Sequence, residues 1–273
     1  MTNVEPPAQW PGDLGAATLV DSHCHLNYDG LSGRTPEILD RMAAAGVTRG
    51  LNVCTTLTEA DAVLNTALSD DRLVCSVGVH PDYEDEPQEA SVTELVRRGA
   101  HPRVVAIGET GLDYYRLKGD LEWQRERFRT HIRAARELGK PLIIHTREAA
   151  SDTLRILQEE KAHEVGGVMH CFTESFDVAR AAIDMNFLIS LSGIVTFKTA
   201  TQVHDVARRV PLQHLMVETD APFLAPVPFR GKTNEPGFTR FVAYRIAELK
   251  EVSLESVALA TTANFLRFAR MTA

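Results

Sequence analysis

Cysteine is scarce in this chain: Cys24, Cys54, Cys75 and Cys171 are all there is, and none stands in CxxC spacing. Each lies in an apolar run, which argues against a disulfide framework or a zinc knuckle and reads as reduced core thiols. Lysine and arginine are missing before Arg34, so the basic region of a secretory signal is lacking. No apolar stretch approaches the ~20 residues of a membrane span. Positive charge is also short, with 29 basic residues against 37 acidic ones and a net charge of -8. That balance excludes a broad basic footprint along a duplex, but not a phosphodiester met at one point by metal ions. Together these absences predict a soluble cytoplasmic protein, and without an exposed apolar stripe it is read as a monomer.

What is present is ordinary globular material, 44% hydrophobic and 24% charged over 273 residues, enough for one α/β barrel of about 250 residues. Residues 1–15, rich in Pro and Gly and without periodicity, read as a flexible N-terminal tail. From there the chain alternates. Short β-branched and aliphatic runs fall at 19–21, 50–53, 73–79, 104–107, 141–145, 167–170, 187–191 and 215–218. Amphipathic stretches of helical period lie between them, for example 122–138 with Trp123, Phe128, Ile132, Ala135 and Leu138 on one face. Closing helices read over 239–249 and 254–268. Eight such units predict an α/β fold, a single (β/α)8 TIM barrel over 16–273, with a doubly wound open sheet as competitor. The irregular stretch 222–236 has the length of a functional loop.

The polar residues gather at strand ends. Asp21-Ser22-His23-Cys24-His25 closes the first run, and i, i+2 spacing on a strand turns both histidines to one side. Glu109 ends the fourth run, His145 the fifth, His170 the sixth and Glu218-Thr219-Asp220 the eighth. In a barrel all of these lie at the C-terminal mouth, where catalytic groups collect. Taken singly, His145 or His170 reads equally well as a bonded core histidine, and Glu109 as a turn acid. Jointly, six ligand-capable groups around one opening are too many for one open zinc site. They suit two divalent ions bridged by a carboxylate. Four imidazoles favour zinc, manganese, iron or cobalt over magnesium. His80, Arg147 and Arg230 are candidate substrate-binding residues, the arginines because a guanidinium grips phosphate bidentately. A surface ion pair is the plainer reading for both arginines.

The motifs DSHCHL at 21–26, GVHP at 78–81, GETGLDYYR at 108–116 and PLIIHTR at 141–147 resemble the TatD family of metal-dependent deoxyribonucleases. So do HCFT at 170–173, SGIVTF at 192–197, ETDAPFLAP at 218–226 and RGKTNEP at 230–236. The resemblance runs in order from Asp21 nearly to the C-terminus. It implies an amidohydrolase-type barrel with His23, His25, Glu109 and Asp220 around one metal and Glu109, His145 and His170 around a second. It also implies hydrolysis of DNA, often as a 3′-to-5′ exonuclease, in a family commonly described as magnesium-dependent. Three positions depart from the family's pattern: Thr110, Glu174 and Asp82, the last two adding negative charge beside the mouth.

The expected scheme uses two divalent ions (Mg, Mn or Zn) to hold hydroxide at neutral pH, with Asp220 and Glu109 as catalytic residues. The expected substrate is DNA at single-stranded or frayed 3′ ends. The same hydroxide could instead attack a carbonyl, making the chain an ester or amide hydrolase such as an aminoacyl-tRNA deacylase. Glu109 stands where many relatives in the wider superfamily carry a carbamylated lysine. A non-catalytic metal- or nucleic-acid-binding protein is the third reading, and the filled ligand positions speak against it.

Overall fold

The computed structural model describes residues 7, 9–85 and 89–272. Eight parallel strands pair in sequence order: β1 (Leu19–Cys24), β2 (Val47–Asn52), β3 (Leu73–Val77), β4 (Val104–Asp113), β5 (Leu142–Arg147), β6 (Gly167–Met169), β7 (Phe187–Leu191) and β8 (Leu215–Val217). Between and after them run α1 (Thr35–Ala44), α2 (Ala60–Leu68), α3 (Val92–Gly99), α4 (Glu122–Leu138), α5 (Ala150–Glu159), α6 (Phe176–Asp184), α7 (Thr201–Arg209), α8 (Thr239–Lys250) and α9 (Leu254–Ala269). The strands are apolar on both faces because helices cover one side and the barrel interior the other. A bridge between Cys24 and Ala221 brings β1 back beside the end of β8. The Asp220 amide, 2.9 Å from the His23 carbonyl, adds to that seam. The fold is a (β/α)8 TIM barrel, as the alternation predicted.

Two cores divide the molecule. One packs the outer strand faces against the helices. The other fills the barrel with Val20, Leu51, Val74, Val105, Ile143 and Met216, and takes in Phe265 and Phe268 of α9. α9 is tied to the strands' N-terminal end, where Asn264 donates to the Leu215 carbonyl and Thr262 to that of Thr18, both at 2.7 Å. That end is sealed by packing, and the opposite end is left for chemistry. No helix among the described residues is long and apolar enough to cross a membrane.

The expectation of a flexible tail over 1–15 falls partly on residues 1–6 and 8, which lie outside the described residues. From Trp10 the chain is docked, a correction to that reading. Trp10 packs on Phe238 and Phe241, Arg240 donates to the Pro11 and Gly12 carbonyls, and Leu14 joins the core. Proline and glycine removed the periodicity there without removing the anchors.

β4 is longer than its apolar run. The strand passes through Gly108 and Gly111, at φ +143 and +141, and runs on to Asp113. A Cβ on Gly111 would come 2.0 Å from the His145 carbonyl oxygen, so only glycine lets β4 and β5 approach this closely. An irregularity in the register between Ile107↔Leu142 and Thr110↔Ile144 inserts an extra residue at Gly108–Glu109, and a bulge of this kind re-aims a side chain.

α4 supplies a polar brace. Phe128, Ile132 and Ala135 are buried on its apolar face, and Gly139 at φ 65 ends it, a left-handed stop that suits glycine. Gln124, Arg127 and His131 on the same helix are buried too. Gln124 accepts from the Asp113 amide at 3.0 Å and donates to the Pro81 carbonyl at 3.1 Å. Arg127 donates to the Tyr83 carbonyl at 2.6 Å. His131 Nε2 accepts from the Val79 amide at 2.9 Å and its Nδ1 donates to the Arg127 carbonyl. These bonds fix the ends of β3 and β4, which lead into His80 and carry Glu109.

Burial pushes the His131 pKa down from 6.5 to about 4, so folding requires the neutral ring. The unfolded chain takes up a proton between those values and the native one does not. The contribution is therefore full above pH 6.5 and lost as pH falls towards 4, a gap of roughly 3 kcal/mol. Urea unfolding of His131→Asn against the parent across pH 4–7 should show a flatter pH dependence in the variant. Equal slopes would refute this role.

Candidate metal centre

Each site residue is delivered by a strand end. The register between β1 and β2 shifts between Asp21 and Cys24, and Cys24 joins the outer core. His23 and His25 on either side of it turn inward together, with their Nε2 atoms 3.2 Å apart. Asp21, fully buried, accepts from the Thr219 amide and hydroxyl at 2.9 and 2.6 Å. That holds the end of β1 against the residues that lead into Asp220.

Glu109 stands at the centre with 2% exposure. Its Oε2 lies 3.2 Å from His23 Nε2 and 3.9 Å from His25 Nε2. Its Oε1 lies 2.7 Å from His170 Nε2, 3.2 Å from His145 Nδ1 and 3.4 Å from His80 Nε2. The two oxygens therefore face two different sets of imidazoles. Asp220 Oδ1 completes the first set, 3.4 Å from His25 and 3.7 Å from His23. Three overlapping groups of donors can each surround an ion: His23, His25 and Asp220; His23, Glu109 and His170; His80, Glu109 and His145. All six expected ligands thus converge. His80, assigned to substrate by the sequence reading, joins them at 3.3 Å from His145 Nδ1.

The outward nitrogens decide which lone pairs point inward. His25 Nδ1 donates to the Val53 carbonyl at 3.1 Å, so in the neutral ring the Nε2 lone pair points toward the cluster. His145 Nε2 faces Asp113 Oδ2 at 3.1 Å, and His170 Nδ1 lies 3.4 Å from Glu218 Oε1. A carboxylate behind a histidine is the usual support of a metal ligand. His80 runs the other way. Its Nδ1 accepts from the Asp82 amide at 3.1 Å, so in the neutral ring Nε2 carries the proton and presents a donor.

These residues fit divalent ions. His23 Nδ1 and both ring nitrogens of His170 are buried without an aligned hydrogen bond, although His170 Nε2 stands 2.7 Å from Glu109. Buried polar atoms in that state normally serve a partner. The electrostatics agree. Burial alone would raise the Glu109 pKa, but the surrounding imidazoles, His170 foremost, hold it well below the usual carboxylate range. Burial opposes a charge on His170 as well, yet Glu109 and Glu218 raise its pKa well above 6.5. The cluster demands positive charge, from protons or from metal.

Residues 20–270 match the family model described as TatD related DNase. The chain belongs to the TatD family. Among its TatD relatives, the uncharacterized metal-dependent hydrolase YcfH of Escherichia coli K12 is 48% identical over 252 residues, covering 91% of this chain and 94% of YcfH. YabD of Bacillus subtilis 168, also named an uncharacterized metal-dependent hydrolase, is 42% identical over 256 residues, covering 93% and 99%. The crystal structure of YjjV, a TatD homologue of E. coli K12, superposes with a TM-score of 0.86 at 27% identity over 93% of this chain and 98% of that one. This TatD chain is accordingly a metal-dependent hydrolase.

Around the centre, Arg147 lies over the Tyr115 ring at 3.8 Å and Arg230 over Phe197 at 4.2 Å. Among the described residues neither pairs with a carboxylate, contrary to the ion-pair reading. Arg116, itself largely exposed, pairs with Asp82 at 3.2 Å, which offsets that added negative charge. Burial, with Glu148 nearby, raises the Glu174 pKa. Asp113 and Glu218 are the supporting residues that the sequence reading quoted within motifs but gave no role. The only signal for them was their spacing from Glu109 and Asp220.

Asp113→Asn and Glu218→Gln should each weaken metal binding about 10- to 100-fold while the fold is retained, read by calorimetric titration with Mn²⁺ or Zn²⁺. Parent-like affinity in both would show that the carboxylates behind the histidines are ornamental.

Proposed function

We propose that this TatD protein is a nuclease that hydrolyses DNA phosphodiesters at single-stranded or frayed 3′ ends, using two divalent ions of the Mg, Mn or Zn class. The observation that carries this reading is the layout of charge at the mouth. A buried donor cluster split by the two oxygens of Glu109 is flanked by two arginines with no carboxylate partner among the described residues. The family's description as DNases supports it further.

Ions bound here supply Lewis acidity and lower the pKa of water that they coordinate. His23, His25 and Asp220 would hold one, His145 and His170 the other, with Glu109 between them. Asp220 has the side chain nearest solvent in the first set, 16% exposed, so its carboxylate can orient the attacking water and take its proton. The water oxygen attacks phosphorus, the P–O3′ bond breaks, and the proton taken by Asp220 is returned to the departing O3′, so the terminal nucleotide leaves with a 5′ phosphate and the strand keeps a 3′ hydroxyl. His80 Nε2 donates to a phosphoryl oxygen. Arg147 and Arg230, held by their aromatic rings, grip flanking phosphates bidentately. A few such contacts suit a short single strand, while a net charge of -8 offers no duplex-sized footprint. All four cysteines are free, which supports action in a reducing compartment such as the cytoplasm.

A 3′-extending single-stranded oligonucleotide labelled at its 5′ end should shorten with Mg²⁺ or Mn²⁺. It should stay intact with EDTA, and Asp220→Ala and Glu109→Gln should lose at least about 100-fold in rate. Metal-loaded protein that leaves DNA intact but cleaves a carboxylic ester would replace this reading by the ester hydrolase.

A further inference from the structure

We propose that the cleft beside Asp220 seats a nucleobase of the bound strand, stacked on Phe223. This deepens the nuclease reading and rests on it. The exposed aromatic side chains among the described residues are Tyr83, Tyr115 and Phe223, and all three stand on loops that leave the C-terminal ends of strands β3, β4 and β8. Helix surfaces and the opposite end of the barrel have none. Scattered surface aromatics need no explanation, but their confinement to one rim does.

Phe223 is the one joined to the centre by a chain of rings. Tyr28 stacks on His25 with centroids 4.7 Å apart and rings 19° from parallel. Phe223 meets Tyr28 in a T-shaped contact at 6.0 Å and 80°, and the residue stays 46% exposed. The Phe223 amide donates to the Asp220 carbonyl at 2.9 Å. Asn234, fully buried, donates to the Phe223 carbonyl at 2.6 Å and the Thr219 carbonyl at 2.9 Å. The ring is thus held in fixed register with Asp220, as a platform must be to cost little ordering on binding.

An open cleft of about 430 Å³ lies against this ring, lined by Asn27, Tyr28, Asp29, Pro222 and Phe223. That volume falls in the range of small-molecule pockets, roughly 300–1,000 Å³. Its charge selects the occupant. Asp29 is the only charged group in the lining, and a carboxylate repels phosphate. The cleft therefore takes a neutral planar ring and offers its amino groups an acceptor, while the phosphates fall to Arg147 and Arg230. Every base has a π face, so the contact favours a base over no base rather than one base over another.

The test uses a trinucleotide with phosphorothioate linkages and 2-aminopurine at its 3′ end, bound with Mn²⁺ present, because stacking quenches that base. Parent protein should quench it, Phe223→Ala should not, and Phe223→Tyr should restore it, with unchanged melting temperatures. On cleavable strands Phe223→Ala should raise KM about 10-fold with kcat within about 2-fold, and lose nothing further on a strand whose 3′ residue is abasic. No quenching by the parent, or an equal KM rise on normal and abasic strands, overturns the base site. Quenching that depends on Phe223 without shortening of any strand would remove the nuclease reading and leave the base site standing.

Discussion

A carboxylate buried at the centre of a barrel costs several kcal/mol in lost hydration unless cations or strong donors surround it. Glu109 is that carboxylate, and much of the mouth can be understood as its compensation. Five imidazoles from the ends of β1, β5 and β6 and the loop after β3 point at its two oxygens. Asp113 and Glu218 stand behind two of them, and Asp220 closes the far side. With protons alone this arrangement would hold several charged histidines in close contact, which is poor electrostatics. Divalent ions supply the same charge at fewer points. The residues are therefore better described as a cradle for metal than as an ion-pair network.

The barrel makes the cradle possible by separating two tasks. Phe265 and Phe268 of α9 help fill the interior from the N-terminal end, so polar groups at the other end are not needed for closure. The mouth is then braced from outside. Gln124, Arg127 and His131 of α4 hold the ends of β3 and β4, while Asp21 and Asn234 hold the residues flanking Asp220. A polar row on a buried helix face would be a cost in an ordinary core, and here every member has a backbone partner.

Much of this was legible in the sequence because a parallel barrel gives each strand an apolar run and puts its next residues at the mouth. His23, His25, Glu109, His145, His170 and Asp220 were picked out on that rule alone and lie together in the structure, and TatD membership follows the motifs that contain them. The eight strands were located for the same reason. What escaped has a common cause: it depends on neighbours far along the chain. Gly108 and Gly111 show their purpose only once β5 is laid beside them. Asp113 acquires meaning only behind His145, and Glu218 behind His170. The polar row of α4 was hidden because helical periodicity weighs only the apolar face. Trp10 and Leu14 anchor a segment whose own composition argues for looseness. His80 was assigned to substrate by position, and its proton placement, set by the Asp82 amide, is what keeps that role open inside a ring of ligands.

The central claim is that Glu109 divides two ion sites with its two oxygens. Anomalous diffraction from crystals soaked in Mn²⁺ tests it directly. The account predicts two peaks, one on each side of the Glu109 carboxylate, the first against His23, His25 and Asp220 and the second against His145 and His170. A single peak at full occupancy, or peaks that leave Glu109 uncoordinated, would contradict it.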